Sequence, residues 1–97
     1  MLFAIIAEDK PGSKDVRLAN RPTHLEYLKT FGSRIVAAGP LLAADGETMT
    51  GSLLIVEAAD RAAAESFAAN DPYAKAGLFA KTTIAPWRKV VFNAPAS

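Results

Sequence analysis

Hydrophobic and polar positions alternate in blocks that mark out short strands and two amphipathic helices. Residues 2–7, Leu-Phe-Ala-Ile-Ile-Ala, form an apolar run that stops at Glu8-Asp9-Lys10, which predicts a short buried strand. The turn chemistry of Asp9-Lys10-Pro11-Gly12-Ser13 predicts a loop. Helical spacing then runs from Asp15 to Phe31, with Gly32 placed to end the helix. Pro22 lies inside that pattern and predicts either a kink in the first turns or a regular helix that starts near Asn20. Residues 35–44 read as a second strand, interrupted by Gly39-Pro40. Asp45-Gly46 is a hairpin-type turn signal, and residues 51–58 form the third strand. Asp60 caps a second, alanine-rich helix that runs to about Asn70, with Phe67 as its large core residue. Asp71-Pro72-Tyr73 breaks that helix and starts a short turn as far as Gly77. Residues 81–92, containing Pro86 and Trp87, predict the last strand, and residues 93–97 a frayed end.

The resulting order, β-α-β-β-α-β, predicts an α+β domain with an antiparallel sheet, the ferredoxin-like split βαβ unit. That topology puts the first and third strands at the centre and the second and fourth at the edges. Pro40 and Pro86 then fall on edge strands, where a missing N–H is tolerated. The third strand is apolar on both faces, with Leu53 and Ile55 on one and Leu54 and Val56 on the other. The helices cover one face only. The other leaves an apolar patch that needs a cover, and a second copy of the sheet is the economical one, so a face-to-face homodimer is expected.

The first helix carries polar groups beside its apolar stripe. With Leu25 as the reference direction, Leu18 lies about 20° away and Leu28 about 60°. Arg17, Arg21 and His24 fall about 80°, 40° and 100° away, on the Leu28 side. Guanidiniums and an imidazole at a core margin are costly unless they meet an anion, a partner or a cleft. Pro22 leaves the direction of Arg17 open, so Arg17 is set aside, while Arg21 and His24 keep theirs. One helical turn separates these two, and both can address one anionic or polar ligand.

Composition narrows the function. The 97 residues suit a single domain spanning 1–97, and 51% hydrophobic with 22% charged residues makes it globular. A net charge of +1 without a basic run argues against nucleic-acid binding. The chain has no cysteine, which excludes disulfides, a thiolate nucleophile and a Cys-based metal site. The opening apolar run is too short for a signal peptide, and no run approaches the ~20 residues that span a bilayer. A cytoplasmic location without membrane partners is expected. No phosphate loop, dinucleotide fingerprint or nucleophile elbow is present, and one histidine among scattered carboxylates is a poor ligand set. Neither a cofactor nor a metal is therefore expected.

An ordered set of short motifs resembles the YciI-related family. It comprises Arg21-Pro22-x-His24-Leu25-x-x-Leu28, Ala38-Gly39-Pro40-Leu41, Gly51-Ser52-Leu53, Asp71-Pro72-Tyr73 and Ile84-x-Pro86-Trp87. The resemblance runs from Leu2 to about Phe92. It implies a ferredoxin-like fold and dimers like those of the dimeric α/β-barrel group. It also implies an active site centred on a histidine and an aspartate, which map onto His24 and Asp71, with Arg21 and Ser52 at neighbouring motif positions. Tyr73 stands where phenylalanine is also common. A few members belong to pathways degrading chlorinated or hydroxylated aromatics, and one type removes chloride from a chlorinated hydroxyquinol.

Each candidate has a structural reading beside its functional one. His24 is the only histidine and carries the side chain that titrates closest to neutrality, yet a half-exposed ring packed at the stripe's edge is as ordinary. Arg21 can equally form a surface ion pair. Asp71 before Pro72 is a natural N-cap. It also follows the second helix, where the macrodipole disfavours a carboxylate, so a partner such as His24 or Arg21 is expected, and both roles can coexist. Ser52 offers a hydroxyl to a ligand or a bond to backbone. Tyr27, Phe31, Phe79 and Trp87 are read as core or pocket wall. Taken with the family resemblance, which carries most of the weight, these residues imply a small cofactor-independent enzyme. His24 and Asp71 would run lyase- or isomerase-type proton transfer on a small hydroxylated or aromatic ring compound, with Arg21 and Ser52 binding it. The alternative is a non-catalytic module that holds a small ligand in the same cleft.

Overall fold

The computed structural model describes residues 1–93; the expected frayed end therefore lies largely outside the described residues. Eight successive elements follow the chain: β1 (Leu2–Asp9), α1 (Lys14–Lys29), a 3-10 turn (Gly32–Arg34), β2 (Ile35–Leu42), β3 (Met49–Glu57), α2 (Arg61–Ala69), α3 (Pro72–Lys75) and β4 (Phe79–Trp87). The sheet is antiparallel with order β2-β3-β1-β4, so β1 and β3 are central. Both prolines sit on edge strands, Pro40 opposite Ser52 and Pro86 opposite Phe3.

Alternation decides the faces. Phe3, Ile5, Leu54 and Val56 point inward and form the core with Ala64 and Phe67 of α2. Tyr27, Leu28 and Phe31 of α1 pack against that cluster. Tyr27 also donates its hydroxyl to the Phe67 carbonyl at 2.9 Å, tying α1 to α2. On the outer face Ile6 and Leu53 are each 40% exposed, and Trp87 is on the surface rather than in the core. Asp60 caps α2 by accepting from the Ala63 N–H, and Asp71 caps α3 by accepting from that of Tyr73.

Three local expectations change. β4 ends at Trp87, not at residue 92. β1 continues past Ala7, the expected end of the strand, through Glu8 and through Asp9, the expected first residue of the loop. The reason is a register shift between Glu8 and Asp9 against β4, which keeps the chain paired beyond its apolar run. α1 runs unbroken through Pro22 from Lys14. Pro22 is exposed, and Leu18, whose carbonyl loses its helical partner, is itself 46% exposed to water that can replace the bond.

The face that α1 buries also differs from the leucine line. Leu18 and Leu25 are 46% and 44% exposed, whereas Arg17 and His24 are buried. The inward stripe is thus turned by about 100° from Leu25, onto the line through His24, Phe31 and Leu28. α1 leans towards α3 and stands off from β2, which leaves Ala38 and Pro40 uncovered on the inner face of that edge strand.

Gly51 fixes the approach of β3 to β1 beside this gap. A Cβ there would lie 2.3 Å from the Ala7 carbonyl oxygen and 3.1 Å from Leu41 Cδ1. A backbone atom cannot swing aside as a side chain does. Gly51→Ala should cost about 1–3 kcal/mol or more, read as a lowered urea midpoint at unchanged m-value.

Candidate functional site

The gap between α1 and the β2–β3 edge is a cavity of about 140 Å³. It is lined on one side by Arg17, Arg21 and His24 of α1, on the other by Ala38 and Pro40, with Ser52 and Tyr73 between. Leu25, Leu28, Met49 and Leu54 supply apolar wall. A cavity of roughly 150 Å³ holds a benzene ring. Among the described residues no carboxylate lines this space; the acids that hold its side chains stand behind the wall.

Asp71 is one of those acids. His24 Nδ1 lies 2.9 Å from Oδ1 and 3.0 Å from Oδ2 of Asp71, and both side chains are buried. An ionised carboxylate only accepts, so Nδ1 carries the hydrogen and donates it. In the neutral ring this arrangement puts the lone pair on Nε2, and the ring lines the cavity. Oδ1 also accepts the Tyr73 N–H at 2.9 Å, so Asp71 caps α3 and orients His24 at once. The Pro72 that follows it fixes the first turn of α3 and delivers Tyr73 under α1. Its ring stacks on His24, with centroids 4.0 Å apart and planes 17° from parallel.

Arg17, whose direction Pro22 leaves open in the sequence, is as deeply buried as Asp71, at 3% exposure. Its Nε donates to Asp9 Oδ2 at 2.7 Å and its Nη2 to Asp9 Oδ1 at 2.8 Å, a bidentate pair. Nη2 also donates to Ser52 Oγ at 2.9 Å. Ser52 is thus bonded to a side chain rather than to backbone. The guanidinium carbon sits 4.6 Å from the centroid of the Tyr73 ring. Burial works against its charge, but the bonds and charge of Asp9 outweigh this and raise the Arg17 pKa. Burial pushes the Tyr73 phenol up as well, against a smaller downward pull from Arg17 and Arg21. Signals for the Arg17–Asp9 pair did exist: an arginine eight residues after an acid, across a short turn, seven before the histidine on the same helix face.

Arg21 is exposed at the rim of the cavity, not within the stripe. Arg21, His24 and Ser52 all face one space, and Asp71 reaches it through His24.

A profile of the YCII-related domain matches residues 1–88. The chain belongs to this family. Among YCII-related relatives, Protein YciI of Escherichia coli is 37% identical over 97 residues, covering 93% of this chain and 99% of that protein. A Haemophilus influenzae relative is 38% identical with the same coverage. Among solved structures, the 5-chloro-2-hydroxyhydroquinone dehydrochlorinase of Burkholderia phenoliruptrix, in complex with 2,5-dihydroxybenzoquinone, is 46% identical. It superposes with a TM-score of 0.85, covering 91% of this chain and 94% of the other. An antibiotic biosynthesis monooxygenase, 18% identical with a TM-score of 0.57 over 94% of this chain and 100% of its own, shares the fold.

Breaking the Arg17–Asp9 pair from one side leaves a buried charge without a counter-ion. Arg17→Met should destabilise the domain by about 3–5 kcal/mol. Combining it with Asp9→Asn should recover part of that loss, and a double-mutant cycle by urea unfolding measures the coupling.

Proposed function

We propose that this YCII-related chain is a small enzyme that moves a proton on a single-ring hydroxylated or quinonoid compound. The observation that carries the reading is the bidentate hold of Asp71 on His24 Nδ1, with His24 on the cavity wall. Nε2 acts as the base and takes a proton from a ring hydroxyl or ring carbon. Asp71 keeps the ring in the right tautomer and stabilises the imidazolium that forms. The electron pair released by the proton moves into the ring, and charge builds on a ring oxygen. In a lyase reaction the ionised ring first takes a proton at the chlorine-bearing carbon, one ring hydroxyl becoming a carbonyl, and loss of a second hydroxyl proton to His24 then forms the second carbonyl and expels chloride with its bonding electrons. In an isomerase reaction the proton returns to a different ring atom. Arg21 at the mouth meets the incoming anion, and Ser52 keeps Arg17 in place behind the ligand. This chemistry asks for one titrating base and an anion holder, and so for no cofactor. The dehydrochlorinase at 46% identity supports a chlorinated hydroxylated ring as the substrate class.

The same reading includes a homodimer joined through the outer sheet face. Ile6, Leu53 and Trp87 put exposed apolar area there, and a second copy presents a matching surface. Leu53→Lys should halve the mass measured by light scattering at micromolar concentration. An unchanged mass, or a monomeric wild type, would remove this part of the reading.

Catalysis is tested with a panel of chlorinated hydroquinones and hydroxybenzoquinones. His24→Ala should lower kcat by about 100- to 10,000-fold while ligand affinity stays within a few fold. Binding by the wild-type protein with no turnover of any panel member would instead favour a non-catalytic binding module.

A further inference from the structure

The helices leave a second cavity over the far end of β3. It measures about 270 Å³, against 140 Å³ for the first, and the two share no lining residue. Ile35 and Val56, partners across β2 and β3, form its floor, and Phe31 and Phe67 its sides. Those two rings cross edge to face, with centroids 4.7 Å apart and planes at 87°. Ala63, in the first turn of α2, lies at the surface beside the opening and brings only a methyl group to it.

Arg34, on the 3-10 turn after α1, stands exposed at the mouth. Its guanidinium carbon lies 4.7 Å from the centroid of the Phe31 ring, and its Nε donates to the Phe31 carbonyl at 3.4 Å. Among the described residues neither Nη1 nor Nη2 has a partner, and no acid pairs with Arg34. The carboxylate on the same lining, Glu57, is taken by the Met1 amino group.

We infer that this second cavity binds a single-ring aromatic carboxylate, with the ring between Phe31, Phe67 and Val56 and the carboxylate on Arg34. The inference is independent of the proposed reaction, because no residue of the His24 cavity takes part in it.

Size and charge select this occupant. A cavity of roughly 150 Å³ holds a benzene ring, so 270 Å³ has room for the ring and a short acidic arm. A third ring beside an edge-to-face pair gains aromatic contacts beyond the area it buries. An unfilled apolar space leaves its lining without partner atoms on one side, and the ligand restores them. The Arg34 fork is already laid against Phe31, so less freedom is lost when it takes a carboxylate in two parallel bonds. A cationic ligand would meet a guanidinium and an acid already engaged, and a neutral ring would leave the fork unused.

Phenylacetate is the probe, and phenylacetamide its uncharged counterpart. In an NMR titration of the wild-type protein, phenylacetate should shift the methyl signals of Ile35, Val56 and Ala63. Affinity read from those signals should be at least tenfold weaker for phenylacetamide, while Ala38 and Met49 report any binding in the first cavity separately. Arg34→Gln, a change at an exposed side chain, should weaken phenylacetate about tenfold and leave phenylacetamide unchanged. Ala63→Phe, which fills the opening, should abolish the Ile35 and Val56 shifts in a protein that melts no lower than the wild type. Ile35 and Val56 unmoved by millimolar phenylacetate, equal affinity for the two probes, or undiminished affinity in Arg34→Gln would each overturn the inference. The readout is binding at this cavity alone, so failure of the proposed reaction, seen as no turnover of any ring compound, is a separate result.

Discussion

A guanidinium buried inside a domain of this size sets the terms for everything around it. Removing Arg17 from water would be prohibitive without a carboxylate in bidentate contact, and Asp9 supplies it at 2.7 and 2.8 Å. To bring Asp9 there, β1 has to continue past its apolar run, which the register shift at Glu8/Asp9 allows. The neighbouring strand has to come close enough for Ser52 to share the load, and Gly51, with no side chain against the Ala7 carbonyl, permits it. α1 has to turn its Arg17–His24 line inward, and the leucines that would otherwise mark its core face are left at the surface. Each departure from the simplest packing of this sequence serves the same buried ion pair.

The two acids of the site play matching parts. Asp9 stands behind Arg17 and Asp71 behind His24, and Tyr73 packs against both of the groups they hold. Neither acid lines the cavity, so their negative charge stands behind Arg17 and His24 rather than on its surface. Asp71 does this and caps α3 with the same Oδ1, which makes the orientation of His24 a by-product of helix initiation.

Topology was legible because its signals are local and redundant. Apolar alternation, the Asp45-Gly46 turn, the Asp60 cap and the two edge prolines all agree with one arrangement of strands. His24 and Asp71 were legible as a pair through the family motifs; helix preference, which opposes a carboxylate at Asp71, called for a partner but left His24 and Arg21 both open. The face of α1 was not. Counting leucines assumes that a helix packs its apolar residues, but a helix standing off from an edge strand trades that rule for a cavity. Pro22 compounded the error: it suggested a break that would redirect Arg17, yet it lies on the exposed side, where a lost backbone bond is made good by water. Asp9 was hidden because charge after an apolar run ordinarily ends a strand, and only the long-range partner explains its place.

The two sides of the cavity are anchored unequally. Arg17, His24 and Tyr73 are locked by stacking and ion pairs, while the facing wall is Ala38 and Pro40 on a strand that pairs with a single neighbour. Those side chains are small, exposed and outside the core cluster, whose member Leu54 is the strand partner of Ala38. The width of the slot is therefore set by the part of the domain whose alteration disturbs folding least. Under the proposed function, exchanging a methyl on β2 would change which ring substituents the slot admits while the side chains on α1 stay untouched. Substrate range and reaction type would then be separately heritable traits of one small domain.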